Sequence, residues 1–249
     1  METTRKIVAI GGGELRDLET LEIDKRIVEL TGKTRPKALF IPTASGDPAG
    51  YMDTFEACYG KHLGCQTRTL ALIQNPPTFE RMSALVLDSD LIYVGGGNTY
   101  RMMKLWRRLG LDTVLAEAAS RGIVLSGLSA GAICWFKYGH SDSRSFSSSS
   151  EWDYIRVSGL GFINAVYCPH YHVENREASF SELIAKRGGI GIACDNNAAI
   201  EIVGDQYRVI ASAPNAKAYK LFKRKGRAII AELHPDSEYI PLADLLQRK

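Results

Sequence analysis

The sequence lacks most of the features that would assign a class at a glance. Its 249 residues carry 31 lysines and arginines against 28 aspartates and glutamates, so a net charge of +3 points to neither a nucleic-acid nor a membrane partner. No run of about 18 apolar residues is present, and a conventional membrane-spanning helix is excluded. The opening METTRKIVAIGGG has four apolar residues before its glycines, too few for the core of a secretory signal, so a cytoplasmic location is expected. Cys58, Cys65, Cys134, Cys168 and Cys194 form no CxxC pair and read as reduced thiols. There is no repeat of fixed period, which argues against solenoids and propellers. Neither glycine-rich turn reads GxGxxG, and no acidic residue stands where it would bind a ribose, so no dinucleotide and no other cofactor is expected.

What is present is alternation. Short apolar runs at 6–10, 37–42, 90–97, 122–127 and 189–194 read as strands covered on both faces, and between them amphipathic stretches such as 18–31 and 99–109 carry helical spacing. This pattern specifies an α/β fold, a mostly parallel sheet with helices on both faces. After residue 195 the runs become β-branched and aromatic with turn residues between them, which predicts antiparallel hairpins attached to the main sheet. No linker divides the chain, so residues 1–249 are read as one domain. The basic cluster Lys223, Arg224, Lys225 and Arg227 falls on one hairpin turn and reads as a solvated surface. The serine-rich stretch 139–153 cannot form a core, and residues 141–150 are either a lid or an inert loop.

One short motif carries chemistry. Gly127-Leu128-Ser129-Ala130-Gly131 matches G-x-S-x-G, directly after a strand and at the start of a predicted helix, the context in which a serine is held exposed on a sharp turn. The Ala130 N–H is the natural first donor to an oxyanion, and Gly97, in the turn GGGNT (95–99), offers a second. Asn98 beside it could bind substrate backbone. The triglycine at 11–13 reads as a tight turn.

A serine nucleophile needs a base and a group to orient that base. Of five histidines, His170 follows an apolar strand and a proline in AVYCPHYH (165–172) and should emerge at the same rim of the sheet as Ser129. His170 and His172 alternate as H-x-H, but no third ligand with suitable spacing follows, so no metal site is expected. Asp195, directly after the run GIGIAC, is the candidate acid; the competing reading is a turn residue that opens the next hairpin.

With these residues in place, VGGGNT, then GLSAGA, then CPHY and the arginine-containing stretch ENREASFSELI, the chain resembles the dipeptidase E and cyanophycinase family of serine peptidases. The resemblance implies a fold similar to class I glutamine amidotransferases, with a flavodoxin-like core and serine in place of the elbow cysteine. It implies a triad in the order Ser129, His170 and a third member, usually an acid, whose position falls on Asp195 or on Asn196, with Gly97 and Ala130 as oxyanion donors. It further implies peptides with an N-terminal aspartyl residue, or an aspartyl-arginine polymer, as substrates. Recognition of that carboxylate needs a cation, for which Arg176, Arg144 and Lys137 are candidates, each also readable as a surface charge.

The expected activity is therefore hydrolysis of short peptides through an acyl-enzyme on Ser129, by a monomer or homodimer. Two rivals stand beside it: an α/β-hydrolase-type esterase using Ser129, Asp195 and His234, and a non-catalytic protein that binds an acidic metabolite. Replacing His170 and His234 separately with alanine distinguishes the bases. His170→Ala is expected to abolish labelling of Ser129 by a fluorophosphonate and His234→Ala to leave it intact, and the reverse pattern would favour the esterase.

Overall fold

Strands that are apolar at every position need a partner on each face, and the computed structural model, which describes residues 4–143, 154–173 and 175–248, supplies both. In β1 (Lys6–Ile10) the two-residue period sends Ile7 and Ala9 into one core and Val8 and Ile10 into another. The same division holds for β2 (Lys37–Ile41) and β4 (Leu91–Val94), while β3 (Gln66–Thr69) is a polar edge. Each fully buried aliphatic side chain contributes roughly 1.5–3 kcal/mol, which makes this two-sided packing the main source of stability.

β1 to β4 join β5 (Val124–Leu128), β10 (Ala198–Val203), β11 (Gln206–Ala211) and β14 (Ile240–Pro241) in an eight-stranded sheet of order β14-β11-β10-β1-β5-β4-β2-β3. Pairings from β1 to β3 are parallel and those from β1 out to β14 are antiparallel. Helices α1 (Leu21–Glu29) and α2 (Ala49–Phe55) pack on one face. On the other lie α3 (Phe79–Leu87), α4 (Thr99–Leu109), α5 (Leu111–Ser120) and a short α6 (Ala130–Ile133).

The expectation of hairpins on a single main sheet needs correction. A second, six-stranded sheet is built from β6 (Phe136–Ser141), β7 (Ile155–Ser158), β8 (Ile163–Cys168), β9 (Ile190–Cys194), β12 (Ala218–Arg224) and β13 (Arg227–Leu233), in the order β13-β12-β9-β8-β6-β7. Only the β10–β11 hairpin extends the first sheet; β12–β13 extends the second. The two sheets share a core, in which Ile163, Ala165 and Tyr167 of β8 and Ile192 and Cys194 of β9 meet the inner face of the first. Helix α7 (Arg176–Arg187) covers the outer face of the second sheet, and α8 (Leu242–Leu246) ends the described chain. All five cysteines are buried and unbridged. Among the described residues no helix is long and apolar enough to cross a membrane.

On the inner face of α1 a carboxylate is enclosed, with no cation paired to it among the described residues. Asp24 is fully buried, accepting hydrogen bonds from Thr20 Oγ1 and Tyr59 Oη at 2.8 Å each, and the Tyr59 ring is stacked on Phe55, which stacks in turn on Phe40. Burial outweighs those bonds and pushes its carboxyl up to about 7. A raised carboxyl favours the neutral form in the fold, so its contribution is present below the pH at which an exposed aspartate ionises and is lost as pH rises to about 7. Denaturant titrations should show Asp24→Asn removing this loss, which is at most roughly 4 kcal/mol between pH 4 and 8. An unchanged pH dependence in the variant would contradict the assignment.

Candidate active site

The serine motif folds as a sharp elbow. Ser129 follows β5 with φ 55° and ψ −112°, a conformation that a non-glycine residue keeps only at a cost of roughly 1–3 kcal/mol. The flanking glycines are required by packing: a Cβ on Gly127 would lie 2.4 Å from the Gly131 carbonyl oxygen, and one on Gly131 would lie 2.0 Å from that of Val94. The helix after the serine is a single turn, shorter than expected, and the chain then enters β6 instead of passing straight to the serine-rich stretch.

Three consecutive carbonyls at the end of β1 assemble the site. Ile10 O accepts the Ser129 N–H at 3.1 Å, Gly11 O accepts the His170 N–H at 3.2 Å, and Gly12 O accepts the Asn197 N–H at 2.9 Å. Elements far apart in sequence thus dock on adjacent residues of one turn. The triglycine is therefore more than a tight turn: a Cβ on Gly11 would lie 2.2 Å from Asp195 O, and one on Gly12 would lie 2.1 Å from Asn196 Oδ1 and 2.3 Å from His170 Nδ1. Only glycine fits at these two positions.

His170 sits after Pro169 with φ 50°, and its Nδ1 lies 2.6 Å from Asn196 Oδ1. An amide oxygen only accepts, so Nδ1 carries the proton and Nε2 keeps the lone pair, the tautomer a base requires. Asp195 is not the partner of His170. It directly follows β9 with its side chain turned toward the start of β12, where Oδ2 accepts from the Lys217 N–H at 3.1 Å and from Tyr219 Oη at 3.2 Å. Successive residues of an extended chain point to opposite sides, so Asn196 faces His170 because Asp195 does not. Burial raises the Asp195 carboxyl above its ordinary value.

The other histidines have separate partners. His172 Nε2 lies 2.8 Å from Tyr219 Oη, and its Nδ1 lies 3.2 Å from Glu177, so the H-x-H pair diverges. Among the described residues no group of three or more His, Cys, Asp or Glu side chains is placed to hold a metal ion. His140 is buried at the end of β6 against Ser179, and burial lowers its imidazole to about 3. His234 is exposed beside Glu232, 3.7 Å away.

Gly97 has φ +133°, and a Cβ there would lie 2.3 Å from the Ala44 carbonyl oxygen; its neighbour Gly96 abuts the elbow, 3.4 Å from Ser129 Cβ by the same measure. Asn98 is occupied by structure. Its Oδ1 caps α4 by accepting the Arg101 N–H, and its Nδ2 donates to Ser143 O at 3.0 Å, which leaves less of it for substrate than expected. Ser143 Oγ also accepts the Tyr100 N–H, so the segment entering the serine-rich stretch is fastened beside this glycine turn. Residues 144–150 of the proposed lid, and Arg144, lie outside the described residues.

Arg176 is no surface charge. Its side chain is 2% exposed at the start of α7, donates to Asp142 Oδ2 at 2.7 Å and lies over the Tyr154 ring. Sequence reasoning missed this pair because Asp142 stands in a polar stretch with no periodic signal. Lys137 is exposed on β6, over the ring of Tyr138.

Comparison with known proteins assigns a family and a fold. The family model described as Peptidase family S51 matches residues 7–210. An uncharacterized peptidase of Bacillus subtilis strain 168, YgaJ, is 35% identical over 240 residues, covering 95% of this chain and 99% of its own. Peptidase E of Citrobacter koseri is 41% identical over 49 residues, 20% of this chain and 21% of its own. The crystal structure of a peptidase from an acI-B1 Actinobacterium superposes with a TM-score of 0.70 at 21% identity, covering 97% of this chain and 98% of its own, so the two share a fold.

The docking turn makes a direct prediction. Gly12→Ala should slow fluorophosphonate labelling of Ser129 about 100-fold by displacing His170, as misplacement of reacting groups by about 1 Å does. Gly50→Ala, where an added methyl meets nothing within 4 Å, should label at the wild-type rate. Equal rates in both variants would show that the turn does not position the base.

Proposed function

Because the chain belongs to peptidase family S51, we propose that it is a serine peptidase that cleaves short peptides with Ser129 as nucleophile, His170 as base and Asn196 as the group that orients the base. The observation that carries this reading is the contact of 2.6 Å between His170 Nδ1 and Asn196 Oδ1, made on the same turn that holds the Ser129 N–H. In the proposed reaction, Ser129 Oγ attacks the scissile carbonyl carbon as its proton passes to His170 Nε2. The N–H groups of Ala130 and Gly97 bind the resulting oxyanion. His170 then gives the proton to the leaving amine, and an acyl-enzyme remains. Water, deprotonated by His170, releases the acid and restores the serine. Each step uses the chain's own groups.

A preference for small substrates is supported by the anchoring of Ser143 beside the glycine turn and by α7 starting six residues beyond His170, both of which would narrow the entrance. The aspartyl preference that the resemblance implies asks for a cation, and Arg176 is the proposed one. A substrate carboxylate would have to take the place of Asp142 on its guanidinium.

An orienting amide differs from a carboxylate in one measurable respect. It fixes the imidazole but does not add a negative charge to favour the imidazolium. Asn196→Asp should therefore move the acid limb of the kcat/KM profile upward by about one pH unit or more, whereas Asn196→Ala should lower kcat about 100-fold. A dipeptide library screened with wild type and Ser129→Ala side by side tests the activity itself. Loss of hydrolysis in the variant is expected; equal release of amino acids from both would end the proposal.

A further inference from the structure

The six-stranded sheet ends at β13, and among the described residues no strand lies on its outer side. Proteins usually guard such an edge with a proline, an inward charge or a very short strand, because unpaired N–H and C=O groups recruit another strand. β13 has no such guard. It runs for seven residues, RAIIAEL, with charge only at Arg227 and Glu232, and Ile229 and Ile230 are 39% and 41% exposed.

The hairpin turn determines which backbone groups are available. Lys225 and Gly226 form a two-residue turn with φ of 48° and 81°, so Arg224 and Arg227 flank it as a hydrogen-bonded pair. Alternation then directs the N–H and C=O of Ile229, Ala231 and Leu233 at β12, and those of Ala228, Ile230 and Glu232 outward.

We propose that β13 is the interface of a symmetric homodimer, in which two copies pair this strand antiparallel with Ile230 opposite Ile230 and merge their six-stranded sheets. Regular antiparallel pairing sets outward-facing residues against one another. A two-fold axis at Ile230 does so, placing Ala228 opposite Glu232 of the second copy and Ile229 opposite Ala231. Charge is complementary in this register, in which Glu232, held 2.7 Å from Lys217 within its own chain, gains a second cation across the axis. Lys223 pairs with Ala228 inside each hairpin, so on the face carrying α7 the small Ala228 lies between Lys223 and the incoming Glu232. The symmetry forms that pair twice. Moving the axis to Ala231 sets Ile230 against Glu232, and moving it to Ile229 sets Glu232 against Gly226 in the turn, so both alternatives lose the match.

Because every native cysteine is buried, an introduced one reports without background. Sedimentation velocity of the full chain should show a dimer, and Ile230→Lys should weaken it about tenfold or more. Oxidised Ile230→Cys should run as a covalent dimer, since opposed residues of such a pair have Cα atoms about 5.5 Å apart, within disulfide reach. Ile229→Cys faces Ala231 instead of itself and should not cross-link. A monomer at every concentration, a dimer unaffected by Ile230→Lys, equal cross-linking of both cysteine variants, or an edge that pairs only with a different chain would each overturn the proposal.

Discussion

The turn at the end of β1 is the constraint on which the site depends. β1 lies in the interior of the eight-stranded sheet, with β5 parallel on one side and β10 antiparallel on the other. Its register pairs Ile10 with Leu128 and with Ala199, so the residue that follows Leu128 and those that precede Ala199 arrive at the same end of the same strand. Ser129 and Asn196 are therefore brought to the same rim, one on each side of β1, before any side chain is considered. His170 comes from the second sheet, and its N–H on Gly11 O ties that sheet's rim to the first. The rigidity of two buried sheets is thus transmitted to Ser129, to His170 and, through its neighbour Asn197, to Asn196 by three backbone hydrogen bonds.

The local cost of this arrangement falls on a few residues. Ser129, His170 and Asn197 all have positive φ without being glycine, and together they represent several kcal/mol of unfavourable backbone conformation. Such conformations persist where surrounding packing over-determines them. Here the strands before Ser129 and Asn197 are fully buried, and each strained residue has its N–H fixed by a carbonyl of the β1 turn. Rim residues held this way lose little conformational freedom when a substrate binds, which favours a preorganised site.

Much of the fold was legible because strands buried on two faces leave an unmistakable trace. Residues 7–10, 38–41, 91–94 and 190–194 are uninterrupted runs of apolar residues, glycine and one tyrosine and fold as strands. The sharp turn at Ser129 was legible because its motif needs only local context. The second sheet was harder to see, since β6 and β7 flank a serine-rich stretch and mix exposed polar residues such as Lys137 and Arg156 with the buried polar residues His140 and Ser141. Which of Asp195 and Asn196 faces His170 depends on where the strand's alternation stops, a single-residue matter that hydrophobic pattern does not fix. The role of Gly11 and Gly12 was hidden for a different reason: what a glycine avoids touching is a property of distant segments, and His170 is far away in the chain.

The central claim is that these backbone contacts bring Ser129 and His170 into reacting distance. A crystal structure of the enzyme phosphonylated on Ser129 measures it directly. The account predicts His170 Nε2 within about 2.6–3.2 Å of an oxygen on the adduct or of Ser129 Oγ, with the bonds from Ile10, Gly11 and Gly12 retained. An imidazole turned away from the adduct, with Nδ1 released from Asn196, would contradict it.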